Sequence, residues 1–212
     1  MLGILCGLES EAKIARQIDG ALVACAAARP HKARELAQEL VAKGATRLMS
    51  FGIAGALDAS IGLGDVVIGT QVVSPKVQWG CDEAWGRALA DKIPHAKRGG
   101  VYGSETLVPT AVEKAMLHQK TGCSIVDMES QCAAEVAAAA KIPLIVVRTV
   151  CDGATMNVPP LVMVAIGEAG RVDVLSAIVS IVQHPMQVTD LFLVARGTSK
   201  ALAALKRLTG AF

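Results

Sequence analysis

The sequence predicts an α/β fold: a single three-layer αβα domain around a mixed, bent central sheet. Short apolar and β-branched runs alternate with segments of helical spacing, which is the pattern of a sheet covered by helices. Around residues 64–73 strand follows strand with little helix between, so a mixed sheet is expected and not a plain dinucleotide-binding one. The 212 residues, 52% of them hydrophobic, are enough for one domain with a full core.

Composition excludes several classes of protein. The net charge is +2, aromatic residues make up only 3%, and basic residues are scattered, so no nucleic-acid partner is expected. The six cysteines form no CxxC pair, which favours reduced core residues over disulfides or a zinc site. We therefore expect no metal and no cofactor. The N-terminal apolar run is too short for a signal peptide and no run approaches a membrane span, so a cytoplasmic location is expected.

The chain begins with two strand and helix units. Leu2–Cys6 is predicted to be a buried strand, and the turn Gly7–Glu11 leads into a short helix over Ala12–Ile18. Leu22–Ala27 is predicted to be a second strand. The following helix, Lys32–Lys43, has its apolar residues at helical spacing, so one side of it should pack on the sheet.

The middle of the chain is richer in strands. A predicted strand over Arg47–Phe51 is followed by Gly52–Ala56, a predicted loop whose small residues let backbone amides approach a ligand closely. This loop lacks the Gly-Lys-Ser/Thr of a Walker motif. Another strand continues through Val73, residues 74–97 have a loose pattern, and Gly99–Val108 is predicted to be a strand and loop.

Residues 124–152 organise the rest of the chain. An apolar run breaks at Glu129, an alanine-rich helix continues to Ala140, and a β-branched strand over Leu144–Val150 ends at Asp152. Both acidic residues sit where a regular element gives way to a loop. In open α/β sheets such positions line the ligand crevice, so two carboxylates are expected in one crevice.

Simpler interpretations of these acidic residues remain open. Glu129 is also the favourable charge of a first helical turn, and Asp152 an ordinary turn residue. Glu11 follows the first strand and directly precedes a helix, so it is expected to point into the sheet's mouth while Glu9 faces water. Helix N-terminal charge explains both of these glutamates equally well.

Two weaker candidates accompany the carboxylates. Arg29, His31 and Lys32 cluster at a predicted helix N-terminus, which suits an anion, although a solvated basic turn is the commoner explanation. Ser104 and Glu105 follow a predicted strand and could face the same crevice, although a plain loop is the default.

Several separated motifs occur in an order that resembles the nucleoside phosphorylase and nucleosidase family, whose members cleave the N-glycosidic bond of purine nucleosides and related compounds. DMES followed by a strand that ends in CD is the most specific of them. The motifs are GLESEA at Gly7–Ala12, SFGIAGAL at Ser50–Leu57, LGDVVIGTQVV at Leu63–Val73, GSETLV at Gly103–Val108, IVDMES at Ile125–Ser130 and VVRTVCDGA at Val146–Ala154.

The resemblance implies roles for the site residues. Bond cleavage builds positive charge on the ribose and negative charge on the leaving base, so a general acid and a partner for the sugar are needed. Asp152 corresponds to the aspartate that protonates or hydrogen-bonds adenine N7, and Glu129 to the glutamate that binds the ribose hydroxyls, with Met128 packing on the sugar. Other implied substrate-binding residues are Asp127, Ile53, Ala54, Gly55, Ser104 and Cys151.

The resemblance leaves the nucleophile open. If it is water, Glu11 matches the activating base; if it is phosphate as a co-substrate, Arg29 and His31, with Gly52, are the candidates to hold the anion. The sequence departs from the family at three places. Met49-Ser50 stands where classical phosphorylases have an arginine, Ile53 replaces the usual Ser or Thr, and Cys151 replaces a serine of the nucleosidases.

Within the family, the GLxxEAxIAR opening, the SFGIAG loop and the tail after Val158-Pro159-Pro160 are most similar to the hopanoid-associated phosphorylases, which are thought to release adenine from adenosylhopane. The expected substrate is therefore a membrane-derived adenine nucleoside; the alternative is hydrolysis of methylthioadenosine or adenosylhomocysteine. Residues 190–212 are predicted to form a basic amphipathic helix, a type that can lie against an anionic membrane surface. The resemblance also implies a homodimer or a higher homo-oligomer.

Overall fold

The computed structural model describes residues 1–27, 29–159 and 188–212, and of residues 30, 31 and 188–191 only the backbone. These residues form eight strands and six α-helices. The strands are β1 (Leu2–Cys6), β2 (Ala21–Cys25), β3 (Arg47–Ala56), β4 (Val66–Val73), β5 (Gln78–Gly80), β6 (Lys97–Gly103), β7 (Ile125–Asp127) and β8 (Leu144–Asp152). The helices are α1 (Glu9–Ala15), α2 (Pro30–Ala42), α3 (Glu83–Lys92), α4 (Ala111–Thr121), α5 (Ser130–Ala140) and α6 (Val188–Arg207), followed by a 3₁₀ turn at Thr209–Ala211.

The strands form one mixed sheet in the order β2-β1-β3-β7-β6-β4-β5, and β8 pairs with both β3 and β4. Strand β3 is parallel to β1 and β8 but antiparallel to β7, and β4 is antiparallel to β8. The pairs β3–β8, β8–β4, β4–β6, β6–β7 and β7–β3 therefore close on themselves. This closure bends the sheet strongly, as the sequence predicted.

Helices cover both faces of the sheet. On one face α2 and α5 pack against it, with Leu40 and Val136 in a shared apolar cluster. On the other face α1, α3 and α6 contribute to a second cluster, which includes Leu89 and Leu205. The prediction of a three-layer αβα arrangement is confirmed.

One part of the predicted secondary structure is wrong, and one region contains elements that the sequence pattern does not predict. Gly52–Ala56, predicted to be a loop, belongs to β3, because Gly52 pairs with Arg148 of β8 and Ala56 pairs with Ile125 of β7. Residues 74–97, which show only a loose pattern, contain β5 and α3. The side chain of Asp82 accepts a hydrogen bond from Trp85 N at the start of α3.

Helix α6 packs against the sheet and is not a free-standing helix. Its buried residues Val194, Ala201 and Leu205 face inward, and Thr149 Oγ1 of β8 donates a hydrogen bond to Ala201 O over 3.0 Å. Phe192 and Leu193, near the start of the helix, are exposed. In the part of the chain described here, no helix has the length and apolarity needed to cross a bilayer.

Candidate active site

Three acidic residues meet at one edge of the sheet. Glu11 follows β1 in the first turns of α1, Glu129 follows β7 at the N-cap of α5, and Asp152 is the last residue of β8. They are only 1%, 5% and 8% exposed. Strands β1, β3 and β8 run parallel, so the carboxyl ends of β1 and β8 lie at the same edge and bring Glu11 and Asp152 there. Glu129 follows β7, which is antiparallel to β3, and its Oε2 lies 3.2 Å from Arg148 of β8.

Glycines of the strand ends leave room for these side chains. A Cβ atom at Gly7 would lie 2.5 Å from Glu129 Oε1, and one at Gly52 would lie 2.6 Å from Glu11 Oε1. At Gly55, which pairs with Asp152 across a register shift, a Cβ atom would lie 2.9 Å from Asp152 Oδ2. Gly7 after β1 and the two glycines of β3 therefore make space for carboxylates of the protein itself.

Glu11 is held by the backbone. Its Oε2 accepts hydrogen bonds from Gly7 N and Leu8 N, and its Oε1 accepts one from Ile53 N, all over 2.8 Å. Burial raises the pKa of Glu11, while Arg148 and the three backbone donors act in the opposite direction. Glu9 turns away to form an ion pair with Arg16 at 2.7 Å.

Arg148, in the interior of β8, is the functional residue that the sequence reasoning missed at the centre of this site. It is fully buried, and its Nη2 lies 3.2 Å from Glu129 Oε2 and donates to Ser50 Oγ over 2.7 Å. Its Nε lies 2.7 Å from Asp127 Oδ2 and forms an ion pair with it, but the angle between the two groups is not that of a hydrogen bond. Burial alone would lower the pKa of Arg148, but Asp127, Glu129 and Glu11 raise it above its usual range, so it stays a cation.

Glu129 is a carboxyl of this group whose pKa lies close to neutral pH. Burial raises its pKa to about 7, with Asp127 and Glu11 adding to the rise and Arg148 opposing it. The carboxyl therefore exchanges a proton close to neutral pH. Met128, beside it in the chain, is partly exposed.

Asp127 lies next to Arg148, and both of its carboxylate oxygens accept hydrogen bonds from the protein. Its Oδ1 accepts a hydrogen bond from Ser130 N over 3.0 Å, and its Oδ2 accepts one from Ser130 Oγ. Ser130 Oγ also lies 2.9 Å from Ser50 Oγ. These contacts and the ion pair with Arg148 make Asp127 a residue that positions the arginine and the start of α5.

Asp152 has a partner that the sequence reasoning also missed. Lys114 of α4 is fully buried, and its Nζ lies 2.5 Å from Asp152 Oδ2. The thiol of Cys151 donates to Asp152 Oδ1 over 3.0 Å and lies 3.4 Å from Ala54 O. Burial and the negative charge of Asp152 raise the pKa of the Cys151 thiol well above its usual range, so this sulfur acts as a neutral donor.

The other predicted residues lie at varying positions around this group. Ile53 is partly exposed and gives its N–H to Glu11, whereas Ala54 is buried. Ser104 follows β6, its N donates to Asp127 O, and its Oγ donates to Thr106 O. Arg29 is the N-cap residue of α2, after the edge strand β2, and the side chain of His31 lies outside the described residues. Among the described residues no group of His, Cys, Asp and Glu could hold a metal ion.

A buried arginine surrounded by carboxylates, at one edge of a mixed αβα sheet, is an arrangement that can exchange protons with a small polar ligand. Residues 20–169 match the family model described as the phosphorylase superfamily, and the chain belongs to this family. It is thus an enzyme of the nucleoside phosphorylase and nucleosidase class. No curated protein matches the sequence.

Solved structures share the fold at low identity. Futalosine hydrolase of Helicobacter pylori strain 26695 is 16% identical, with a TM-score of 0.71 over 100% of this chain and 97% of that one. The 5'-methylthioadenosine/S-adenosylhomocysteine nucleosidase of Helicobacter pylori, complexed with butyl-thio-DADMe-Immucillin-A, is 17% identical, with a TM-score of 0.70 over 100% and 98%. The corresponding Streptococcus pneumoniae enzyme, with a transition-state inhibitor, is 14% identical, with a TM-score of 0.71 over 99% and 98%.

Proposed function

We propose that the protein cleaves the N-glycosidic bond of an adenine nucleoside and that its substrate is adenosylhopane. One observation carries the proposal: three buried carboxyls, those of Glu11, Glu129 and Asp152, lie at one edge of the sheet, the first two of them beside the buried cation Arg148. Cleavage of a glycosidic bond needs a partner for the cationic sugar, an acid for the leaving base and an activated nucleophile. Three carboxylates in different surroundings can take these three roles.

In this proposal Glu129 binds the sugar. An ionised carboxylate accepts hydrogen bonds from the ribose hydroxyls, and its charge stabilises the positive charge that develops on the ring. Arg148 holds one oxygen of Glu129 at 3.2 Å and thereby fixes its orientation. Met128, partly exposed at the next position, supplies an apolar contact for the sugar.

Asp152 faces the leaving base. When the bond between C1′ and N9 breaks, its electron pair passes to adenine, and a proton at N7 makes adenine a better leaving group. The carboxyl of Asp152 gives that proton. Cys151 supports this residue by donating its thiol hydrogen to Asp152 Oδ1. The cysteine stands where the nucleosidases have a serine, and its thiol is a weaker donor than a serine hydroxyl.

We infer that the nucleophile is water and that Glu11 takes its proton. Around Arg148 there are the carboxyls of Glu11, Asp127 and Glu129, so one cation faces three acidic groups. A phosphate dianion at this place would meet like charges, whereas a water molecule would not. Phosphorolysis through Arg29, His31 and Gly52 is the competing route, and the two differ in their dependence on phosphate.

The position of α6 supports a large apolar substituent on the substrate. A Cβ atom at Gly197 would lie 2.0 Å from Cys151 O, so this helix passes directly beside the end of β8. The exposed Phe192 and Leu193 precede Gly197 by four to five residues, roughly 6 to 8 Å along the helix. They offer an apolar surface for a hopanoid or for the membrane that carries it, and for a second copy of the chain in a homo-oligomer.

The alternative is a methylthioadenosine or adenosylhomocysteine nucleosidase. The fixed geometry of Glu11, bonded to Ile53 N, favours this reaction as much as hydrolysis of adenosylhopane. Only the substituent at C5′ distinguishes the substrates, so substrate comparison is the decisive experiment.

Adenine release should be measured from adenosylhopane in mixed micelles and from methylthioadenosine, each with and without phosphate. We expect release from adenosylhopane, independent of phosphate, and its loss in Asp152→Asn. Rapid turnover of methylthioadenosine in phosphate-free buffer, with no release from adenosylhopane, would establish the alternative. A strict phosphate requirement would instead show that Glu11 is not the base for water.

A further inference from the structure

Lys114 is buried on a helix whose neighbouring residues are exposed. On α4 the residues Val112, Glu113, Ala115 and Met116 are exposed, while Lys114 is turned inward and fully covered. Moving an ammonium group out of water is unfavourable unless it is paired and hydrogen-bonded. Its position therefore needs an explanation in terms of what it contacts.

All three hydrogens of the ammonium group are used. Nζ donates to Asp152 Oδ2 over 2.5 Å, and to Gly153 O and Met156 O over 3.0 Å each. Two of these acceptors belong to the turn that follows β8, so Lys114 fastens that turn. The third acceptor is the carboxylate of Asp152, which the proposed function places at the leaving base. Holding the turn in place would not by itself require a charged acceptor at this position.

The hydrogen bond between these two groups sets the direction in which a proton can pass. Lys114 Nζ donates to Asp152 Oδ2 over 2.5 Å, so this carboxylate oxygen accepts a hydrogen that belongs to the ammonium group. Asp152 then has no proton of its own to give to the base. Apart from Cys151, whose thiol is a weak acid here, Lys114 is the hydrogen-bond donor to the Asp152 carboxylate among the described side chains.

We propose that Lys114 stores the proton that Asp152 delivers to the leaving base. This inference rests on the proposed function. As the bond between C1′ and N9 breaks and its electrons pass to adenine, a proton moves from Lys114 Nζ to the carboxylate of Asp152, and Asp152 passes a proton to N7. Lys114 is left as a neutral amine and Asp152 as a carboxylate. The oxygen of the attacking water bonds to C1′, and its proton goes to Glu11. After adenine leaves, Glu11 releases that proton to solvent, and a proton from solvent reaches the covered Lys114 through Asp152.

Lys114 acts through Asp152 and is a positioning residue, so its test must separate proton supply from structural support. Lys114→Met removes the charge, and Lys114→Arg keeps a charge that does not leave the side chain. Lys120→Met, an exposed lysine on the same helix, is the matched control. Each variant should be compared on the best adenine nucleoside and on 4-nitrophenyl β-D-ribofuranoside, whose leaving group needs no proton. Circular dichroism and thermal unfolding report whether each variant is folded.

We expect Lys114→Met to lower kcat on the adenine nucleoside about 100-fold or more, with a change in KM of roughly threefold or less. Turnover of the nitrophenyl riboside should fall by roughly threefold or less, and Lys120→Met should match the wild type. Lys114→Arg should restore KM and thermal stability but not kcat on the adenine nucleoside. An equal fall on both substrates, or full rescue by arginine, would show a structural role only.

If Lys114→Met does not fold, kcat of Lys114→Arg on the adenine nucleoside still distinguishes proton supply from structural support. Failure of the proposed function gives a different result, because the wild-type protein would then release no adenine from any nucleoside. A wild type that releases adenine with a rate unaffected by Lys114→Arg overturns only the role of Lys114.

Discussion

Gly52 of β3 pairs with Arg148 of β8, and the missing side chain at Gly52 gives Arg148 and Glu11 the space that they occupy. A Cβ atom at this position would lie 2.5 Å from Arg148 Nη1 and 2.6 Å from the carboxyl carbon of Glu11. Arg148 and Glu11 are both fully packed, so neither can yield without disturbing its partners. The backbone of β3 thus sets the geometry of the charged group.

Gly52→Ala should therefore destabilise the protein by about 1 to 3 kcal/mol and remove most of its activity, because the charged side chains must shift. Urea unfolding and adenine release measure the two effects. Gly80→Ala in β5 is the control, since a Cβ atom there meets no atom within 4 Å and should change stability by about 0.5 kcal/mol or less. Equal stability of the two variants would contradict the packing argument.

Arg148→Met should destabilise the protein by about 3 to 5 kcal/mol at neutral pH, because Asp127 and Glu129 lose their buried cation. The loss should shrink at about pH 5, where protonation of acidic groups relieves the repulsion. Denaturant unfolding at both pH values tests this. Arg34→Met breaks the exposed pair with Glu135 and should change stability by about 1 kcal/mol or less at either pH.

The carboxylates could be predicted from the sequence because their signal is local. Each of Glu11, Glu129 and Asp152 lies at or near the end of a strand or the start of a helix, and for Glu11 and Asp152 parallel strands bring these places to one edge. The mixed sheet could be predicted for a similar reason, since successive apolar runs with few helices leave little choice. Such patterns need no knowledge of distant contacts.

The two buried cations could not be predicted in this way. Arg148 is one charge inside a β-branched strand, and only that departure from an apolar run could have indicated it. Lys114 lies on a helix with scattered charges, and its burial depends on residues 152–156, which are far along the chain. The extension of β3 to Ala56 likewise depends on pairing with β7 and β8, which the run of small residues conceals.

Glu129 should make stability depend on pH. Its pKa is raised from 4.5 to about 7 in the folded protein, so the folded state binds its proton more tightly than the unfolded chain. The stabilisation is fully present below about pH 4.5 and is lost as the pH rises through about 7. Between these values Glu129 alone should lower the free energy of unfolding by ~3 kcal/mol at most.

Glu129→Gln tests this sign, because an amide does not ionise. The stability of the variant relative to the wild type should rise between about pH 4.5 and 7, measured by urea unfolding at several pH values. Glu135→Gln, on the same helix but exposed to solvent, should leave the pH profile unchanged. A difference between Glu129→Gln and the wild type that stays constant or falls with pH would contradict the raised pKa.

Asp152 and Lys114 should be strongly coupled in stability. Asp152→Asn leaves a buried ammonium without its counter-ion and should destabilise by about 3 to 5 kcal/mol. In the double variant Asp152→Asn with Lys114→Met no charge is left unpaired, so its stability should exceed the value expected from adding the single effects. Thermal and urea unfolding of all four proteins give the coupling energy. Additive effects, within about 0.5 kcal/mol, would show that the close contact does not act as an ion pair.

Membrane contact should depend on the first turns of α6 and not on the apolar side of the whole helix. Val194, Ala201 and Leu205 are buried against the sheet, which leaves the exposed Phe192 and Leu193 to enter a bilayer surface. The double variant Phe192→Ser, Leu193→Ser should therefore lose flotation with anionic liposomes while keeping its thermal stability. The control is Val112→Ser, Met116→Ser, which removes two exposed apolar residues from α4. If both double variants float as the wild type does, or if the wild type does not float, the apolar surface serves the substrate or a second copy of the chain and not a membrane.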